Sequence, residues 1–246
     1  MIAGIDIGSR TTKIVVIDHG EPVEWELVPT GVDPIQAART LIGGREFDAV
    51  AATGYGRHLA RTELGHRVLT EVKACAVGAH CVMPECRTVI DIGGQDCKVV
   101  ALDGEGGFSD FQMNDKCAAG TGRFLEVMAQ TLGFDLDEFG EVALQADEAV
   151  RINSMCTVFA ESEVTSLIAR GEVPRRISRG LHQAVVDRVA SMVRSVGVGE
   201  GGVLLVGGVA RNPCMRPLLE ARLGVQVTVP ERAQFVVALG AALSLV

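Results

Sequence analysis

Apolar residues fall into two alternating patterns along the chain. Short runs dense in Val, Ile, Leu and Ala occupy residues 2–7, 48–53, 88–90, 203–206 and 225–229 and predict strands. Longer stretches carry apolar residues three and four apart and predict helices over 35–42, 69–82, 120–132, 136–146, 158–169, 177–196, 215–223 and 234–245. Strands alternating with helices define the α/β class.

One segment of this pattern occurs twice. Residues 6–18 read DIGSRTTKIVVID and residues 91–103 read DIGGQDCKVVALD, identical at six of thirteen positions without a gap. Each copy follows an apolar run, turns at glycine and continues as a second apolar strand, which reads as a β-hairpin. Two such hairpins at the heads of successive segments predict a duplicated domain. Position places the boundary near residues 75–88. The expected lobes are residues 1–85 with part of the C-terminal helix, and residues 86–246.

Composition narrows the functional classes. The 246 residues suit either one large domain or two lobes of roughly 100–150 residues. Hydrophobic residues make up 48% and aromatics only 4%, so the core has to be built from aliphatic side chains. A net charge of −8 argues against nucleic acid or an anionic membrane as the main partner. No apolar stretch approaches the ~20 residues of a bilayer span, and the first strand starts directly after Met1 with no basic leader. A cytoplasmic chain with reduced thiols is therefore expected. Its seven cysteines are then core filler, metal ligands or nucleophiles.

The two hairpin turns carry the first candidate chemistry. A carboxylate at a strand end beside a glycine turn holds a divalent cation while backbone amides receive phosphate. Asp6 and Asp91 would supply the oxygen ligands. Gly8, Ser9 and Lys13 in one turn, and Gly93, Gly94 and Lys98 in the other, would receive the phosphates. The chain has only four lysines, and two of them occupy matching places in the repeat. Gln95 is suited to orient an attacking water. A third glycine turn, Gly207-Gly208 through Asn212, joins a buried strand to a helix and offers free amides to a nucleotide. GxxxxGK[ST] and GxSxG are absent, and no GxGxxG follows the first strand. A P-loop and a serine nucleophile elbow are excluded on that basis.

Among the cysteines, Cys117 and Cys156 each precede a helical run, where amides and the helix dipole favour thiolate. Cys75, Cys81, Cys86, Cys97 and Cys214 read as small core residues. Two helix-start cysteines are half of a four-thiolate site, which twofold symmetry would complete. A four-cysteine zinc site across a dimer and a catalytic thiol with a resolving partner remain open on spacing alone. The five histidines form no HxxxH or HExxH pair. Glu161 and Glu163 read as acids of a helix start.

Taken in order, AGIDIGSRTTK, AATGYGR, VIDIGGQDCK, FQMNDKCAAGTGRFLEVMA, CTVFAESEV, GGVARN and ALGAAL closely resemble the activator component of 2-hydroxyacyl-CoA dehydratases and the ATP-binding subunits of benzoyl-CoA reductase. The likeness runs from about Met1 to the last helix. The two cysteine blocks are specific to that family, whereas the glycine turns are shared with actin, chaperone ATPases and sugar kinases. The resemblance implies two ribonuclease-H-like lobes with Mg-ATP or ADP between them. It also implies a homodimer bridged by one [4Fe–4S] cluster, held by Cys117 and Cys156 of each subunit. ATP hydrolysis would drive one low-potential electron to an iron–sulfur dehydratase or reductase, with ferredoxin or flavodoxin as the electron donor. A small-molecule kinase of the same fold is the second expectation, with Asp110 or Asp115 as its base. A regulatory or filament-type ATPase is the third.

Overall fold

The computed structural model describes residues 1–64, 67–154 and 156–246. Two five-stranded mixed sheets form its framework. The first contains β1 (Ile2–Ile7), β2 (Thr11–Asp18), β3 (Glu21–Pro29), β4 (Ala49–Gly54) and β5 (Arg67–Val68), in the order β3-β2-β1-β4-β5. The second contains β6 (Thr88–Ile92), β7 (Cys97–Leu102), β8 (Phe108–Asn114), β9 (Val203–Val206) and β10 (Val227–Thr228), in the corresponding order β8-β7-β6-β9-β10. In both, the first three strands form an antiparallel meander and the last two add in parallel to the first.

The sequence repeat is thus a repeat of structure. Asp6 pairs with Lys13 across the first hairpin and Asp91 with Lys98 across the second. Register irregularities fall at Val16/Ile17 and Ala101/Leu102, ten residues beyond the aspartate in each copy. The fold is the two-lobed, ribonuclease-H-like α/β arrangement that the family resemblance implies, with the duplication that the hairpins predict.

Helices cover the outer sheet faces. In the first lobe these are α1 (Pro34–Ile42) and α2 (Arg57–Leu64). In the second they are α4 (Gly122–Leu132), α5 (Leu136–Leu144), α6 (Thr157–Ala169), α7 (Pro174–Val196) and α8 (Met215–Leu223). The helices between the sheets change sides. α3 (Glu71–Val82) leaves the first sheet and packs on β6, β7 and β8, while α9 (Val236–Leu243) returns from the second to pack on β1, β2 and β4. Their own crossing is the most extensive helix–helix contact. It is made at backbone distance: a Cβ on Gly240 would lie 1.8 Å from the Ala74 carbonyl oxygen, and one on Gly78 would lie 2.0 Å from that of Val236. A mixed aliphatic cluster, including Val72, Ala76, Leu204, Val206 and Val237, fills the space between the sheets.

Departures from the expected elements have local causes. α3 begins at Glu71 because the Thr70 hydroxyl caps it, accepting from the Lys73 amide. α7 begins three residues early because Pro174 at its first position is preset for a helix start. The strand expected over 225–229 pairs only at Val227–Thr228, and a 3₁₀ turn over Ala233–Phe235 precedes the last helix. β3, β5, β8 and α2 lie outside the expected elements. β3 and β8 are edge strands with mostly exposed or half-buried side chains, and α2 buries only Ala60. No helix among the described residues is long and apolar enough to cross a membrane.

Gly240→Ala forces a methyl group into the backbone of α3, so we expect a loss of about 3 kcal/mol in a urea unfolding titration. A loss within about 0.5 kcal/mol would show that the helices separate freely.

Candidate nucleotide site

A cleft of about 920 Å³ opens between the lobes. Its lining includes Asp6, Gly8, Ser9, Lys13, Asp91, Gly93, Gly94, Gln95, Lys98, Gly207, Gly208 and Asn212, every cleft residue anticipated from the glycine turns. The topology explains this convergence, because both hairpin turns and both parallel strand ends face the same gap.

Each aspartate is seated by a glycine on the neighbouring strand. Gly54 ends β4 with φ +90°, and a Cβ there would lie 2.6 Å from Asp6 Oδ1. Gly207 follows β9 with φ +88°, and a Cβ there would lie 2.4 Å from Asp91 Oδ1. Only glycine satisfies both the positive φ and the close approach. Gly54 was not anticipated as a site residue. The signal for it was its place after a strand, matching that of Gly207.

The floor of the cleft is charged. Lys13 Nζ lies 2.9 Å from Asp6 Oδ2. Lys98, only 2% exposed, has Glu71 Oε2 at 2.9 Å, Asp91 Oδ2 at 3.4 Å and the Asp96 carboxylate in direct contact. Burial alone would lower the Lys98 ammonium, but Asp91, Asp96 and Glu71 outweigh it and hold the ammonium well above its usual value. Burial raises the Asp91 and Glu71 carboxyls against the pull of Lys98. Lys98 is therefore a cation already surrounded by carboxylates, and a phosphate has to compete with them for it. Asp6, Asp91, Asp96 and Glu71 outnumber the two lysines, leaving an excess of negative charge suited to a divalent cation. Glu71 and Asp96 were missed by sequence reasoning because nothing in one dimension links the α3 start to the second hairpin.

Asn212 lines the same cleft, as do Leu136, Asp137, Glu141 and Pro213. Its Oδ1 accepts from the Cys214 amide at 3.0 Å, and its Nδ2 faces His182 Nε2 at 2.9 Å. Nδ1 of His182 faces the Ser178 carbonyl at 2.8 Å, which assigns the proton to Nδ1 and leaves Nε2 to accept from Asn212. Fully buried, His182 is pushed down to about 4.

Cys117 and Cys156 lie outside the cleft and are exposed. Cys156 is the N-cap of α6. Cys117 precedes the α4 cap, Thr121, by four residues, in the loop ahead of the helical run that the sequence predicts. That loop is braced: Asn114 Nδ2 donates to the carbonyls of Cys117 and Ala119 at 2.9 and 2.8 Å. The loop before Cys156 is braced by Glu163, which accepts from the amides of Asn153 and Ser154. Partial burial pushes Glu163 up, but these hydrogen bonds hold it below the usual carboxylate range. Glu163 is thus more than a helix-start acid. Of the expected core thiols, Cys75, Cys86, Cys97 and Cys214 are buried, and burial raises each. Cys81 is a correction, being exposed on the last turn of α3.

Fold and cleft together define a two-lobed nucleotide clamp of the actin and sugar-kinase type. The chain belongs to the BadF/BadG/BcrA/BcrD ATPase family, which it matches over residues 3–244. It is 40% identical to the (R)-2-hydroxyglutaryl-CoA dehydratase activating ATPase of Acidaminococcus fermentans, over 98% of this chain and 95% of that one. A solved structure of the activator of the 2-hydroxyisocaproyl-CoA dehydratase from Clostridium difficile with bound ADPNP superposes with a TM-score of 0.89. It is 39% identical, over 99% of this chain and 93% of that one. A benzoyl-CoA reductase subunit of Thauera aromatica is 34% identical, over 85% of this chain and 78% of that one.

Two stability measurements check the charged floor and the histidine. Lys98→Met leaves three buried or partly buried carboxylates without their cation, so we expect a loss of about 3–5 kcal/mol near neutral pH, smaller in acid where the carboxyls take up protons. For His182, the unfolded ring binds a proton below its ordinary 6.5 while the folded ring resists until about 4. Stability should therefore fall as pH drops through that window, by about 1.4 kcal/mol per unit from this one group. His182→Gln should flatten that slope in denaturant titrations, and an unchanged slope would refute the buried neutral assignment.

Proposed function

We propose that this ATPase is an activator of a 2-hydroxyacyl-CoA dehydratase-type enzyme: a homodimer that couples ATP hydrolysis to delivery of one low-potential electron. The single observation that carries the reading is the continuous link from phosphate turn to cysteine. The amides of Gly122 and Arg123, the first two residues of α4, donate to the carbonyls of Gly93 and Gly94 at 2.9 and 2.7 Å. The Cys117 loop is fastened immediately ahead of them through Asn114. A movement of the second phosphate turn therefore carries Cys117 with it, and α6, which packs on α4, carries Cys156.

The residues present suit both groups that this function requires. Asp6 and Asp91 would hold Mg²⁺ directly or through water. The turns at Gly8–Ser9 and Gly93–Gly94 would bind the phosphates, with Lys13 and Lys98 neutralising them. Gln95, exposed at its turn, would orient water toward the terminal phosphate, and the Gly207–Asn212 turn would hold the nucleoside. Cys117 and Cys156 are exposed thiols on braced backbone, two per chain, so two copies supply the four ligands of a [4Fe–4S] cluster. When bound there, that cluster would supply the single electron. Exposed Val158 and Phe159, next to Cys156 on α6, offer apolar surface to cover the site in the dimer. ATP and ADP would alter the angle between the lobes and with it the spacing of the two cysteine loops.

A dehydratase or reductase component would receive the electron, and ferredoxin or flavodoxin would replenish it. The dehydratase reading is favoured over a reductase subunit because the activating ATPase is matched over nearly its whole length at higher identity. A kinase role has less support. Asp115 lines the cleft, but Asp110 lies outside its lining, exposed on edge strand β8.

Iron and sulfide analysis after anaerobic purification tests the reading, with about four of each per dimer expected. Cys117→Ser and Cys156→Ser should each abolish the visible absorption while nucleotide binding persists. An intact dimer without iron would overturn the proposal.

A further inference from the structure

The first phosphate turn carries a side chain that the scheme above leaves unused. Arg10 follows Ser9 at the tip of the first hairpin, lines the cleft, and ion-pairs across it with Oε1 of Glu126 on α4. Glu126 is held a second time, with Arg123 Nη1 lying 3.0 Å from its Oε2. We propose that Arg10 is a γ-phosphate sensor. It holds α4 through Glu126 when the terminal phosphate is absent and transfers to that phosphate when ATP fills the cleft. The inference rests on the nucleotide reading of the cleft.

Placement supports the transfer. The Gly207–Asn212 turn, with Leu136 and Pro213, belongs to the second lobe, so a nucleoside held there directs its phosphates toward the paired hairpin turns. Those turns meet at their tips: a Cβ on Gly94 would lie 2.4 Å from Arg10 Cγ and 3.4 Å from Ser9 Oγ. Arg10 therefore stands in the cleft where the two turns meet, within reach of a phosphate held between them.

Energetics make the exchange cheap. Side-chain exposure of Arg10 and Glu126 is 50% and 28%, so water screens their attraction and the pair is weak. A phosphate carrying more than one negative charge attracts a guanidinium more strongly and accepts two parallel hydrogen bonds from it. Glu126 keeps Arg123 when Arg10 leaves, so no carboxylate is stranded.

The consequence lies at α4. Its first residues are tied to the second phosphate turn, and the Cys117 loop runs into its N-terminus. While Arg10 grips Glu126, α4 is tethered to the first lobe. With Arg10 on the phosphate, α4 and the Cys117 loop are released from that tether and move with the second lobe alone. ATP and ADP then differ in whether the cysteine-bearing segment is clamped.

Binding of ADP and of a non-hydrolysable ATP analogue, each with Mg²⁺, tests this by calorimetry on the purified dimer. Arg10→Ala should weaken the ATP analogue about tenfold and leave ADP within about twofold, since one charge-assisted contact is lost. Glu126→Gln should act in the opposite direction. By removing the competitor for Arg10, it should strengthen the ATP analogue about two- to fivefold over ADP. Arg10→Lys should recover only part of the discrimination, because lysine lacks the planar fork. Equal weakening of both nucleotides by Arg10→Ala would identify a static lobe clasp and overturn the sensor. So would an unchanged or lowered ATP preference in Glu126→Gln. Failure of the unsubstituted protein to bind either nucleotide would strike the nucleotide reading itself, whereas normal binding with unaltered ratios in both variants strikes only the sensor.

Discussion

Two helices that cross at backbone contact hold the molecule together. α3 and α9 each originate in one lobe and pack on the sheet of the other, and their glycines remove the side chains that would keep them apart. Neither sheet could bury its inner face without the other lobe's last helix. The cleft depends on the same arrangement, because α3 begins with Glu71 and so brings a first-lobe carboxylate to Lys98 on the second hairpin. The joint between the lobes and the floor of the site share one helix.

That floor has the character of a charge store. Lys98 is almost completely buried and remains charged only because three carboxylates surround it, while Lys13 has one close partner in Asp6. The excess of acids over bases favours a cation arriving with its polyphosphate over phosphate alone. Bound metal would replace some of the attraction that the carboxylates now give the lysines. Glu71 begins the helix that joins the two sheets and Lys98 lies on the second hairpin, so a change in this pairing would be felt at the joint. The tethers to α4 place the cysteine loops at the end of that chain of forces.

Much of this was legible in one dimension. The duplicated Asp-Ile-Gly hairpins announced two equivalent sheets, and the matching lysines marked the same register position in each. Helices with an apolar stripe were visible, although caps such as Thr70 shifted their ends. Edge strands β3 and β8 lack a dense apolar run, because an edge strand with one sheet neighbour leaves many side chains exposed; in β3 only the alternation of Val23, Trp25 and Leu27 with glutamates marks the strand. The helix expected from residue 120 begins at Gly122, with Thr121 as its cap, and leaves Cys117 in the loop ahead of it.

The sequence by itself determined the two glycine hairpin turns, the aspartates beside them and the places of Cys117 and Cys156 ahead of helices, because each is a local device set within a few residues. Only the tertiary structure decided which charges meet. Glu71 with Lys98, Arg10 with Glu126 and Gly54 with Asp6 join residues far apart in the chain. Their meeting follows from sheet order and helix crossing, and both are set by burial of apolar faces across the whole molecule and not by any local pattern.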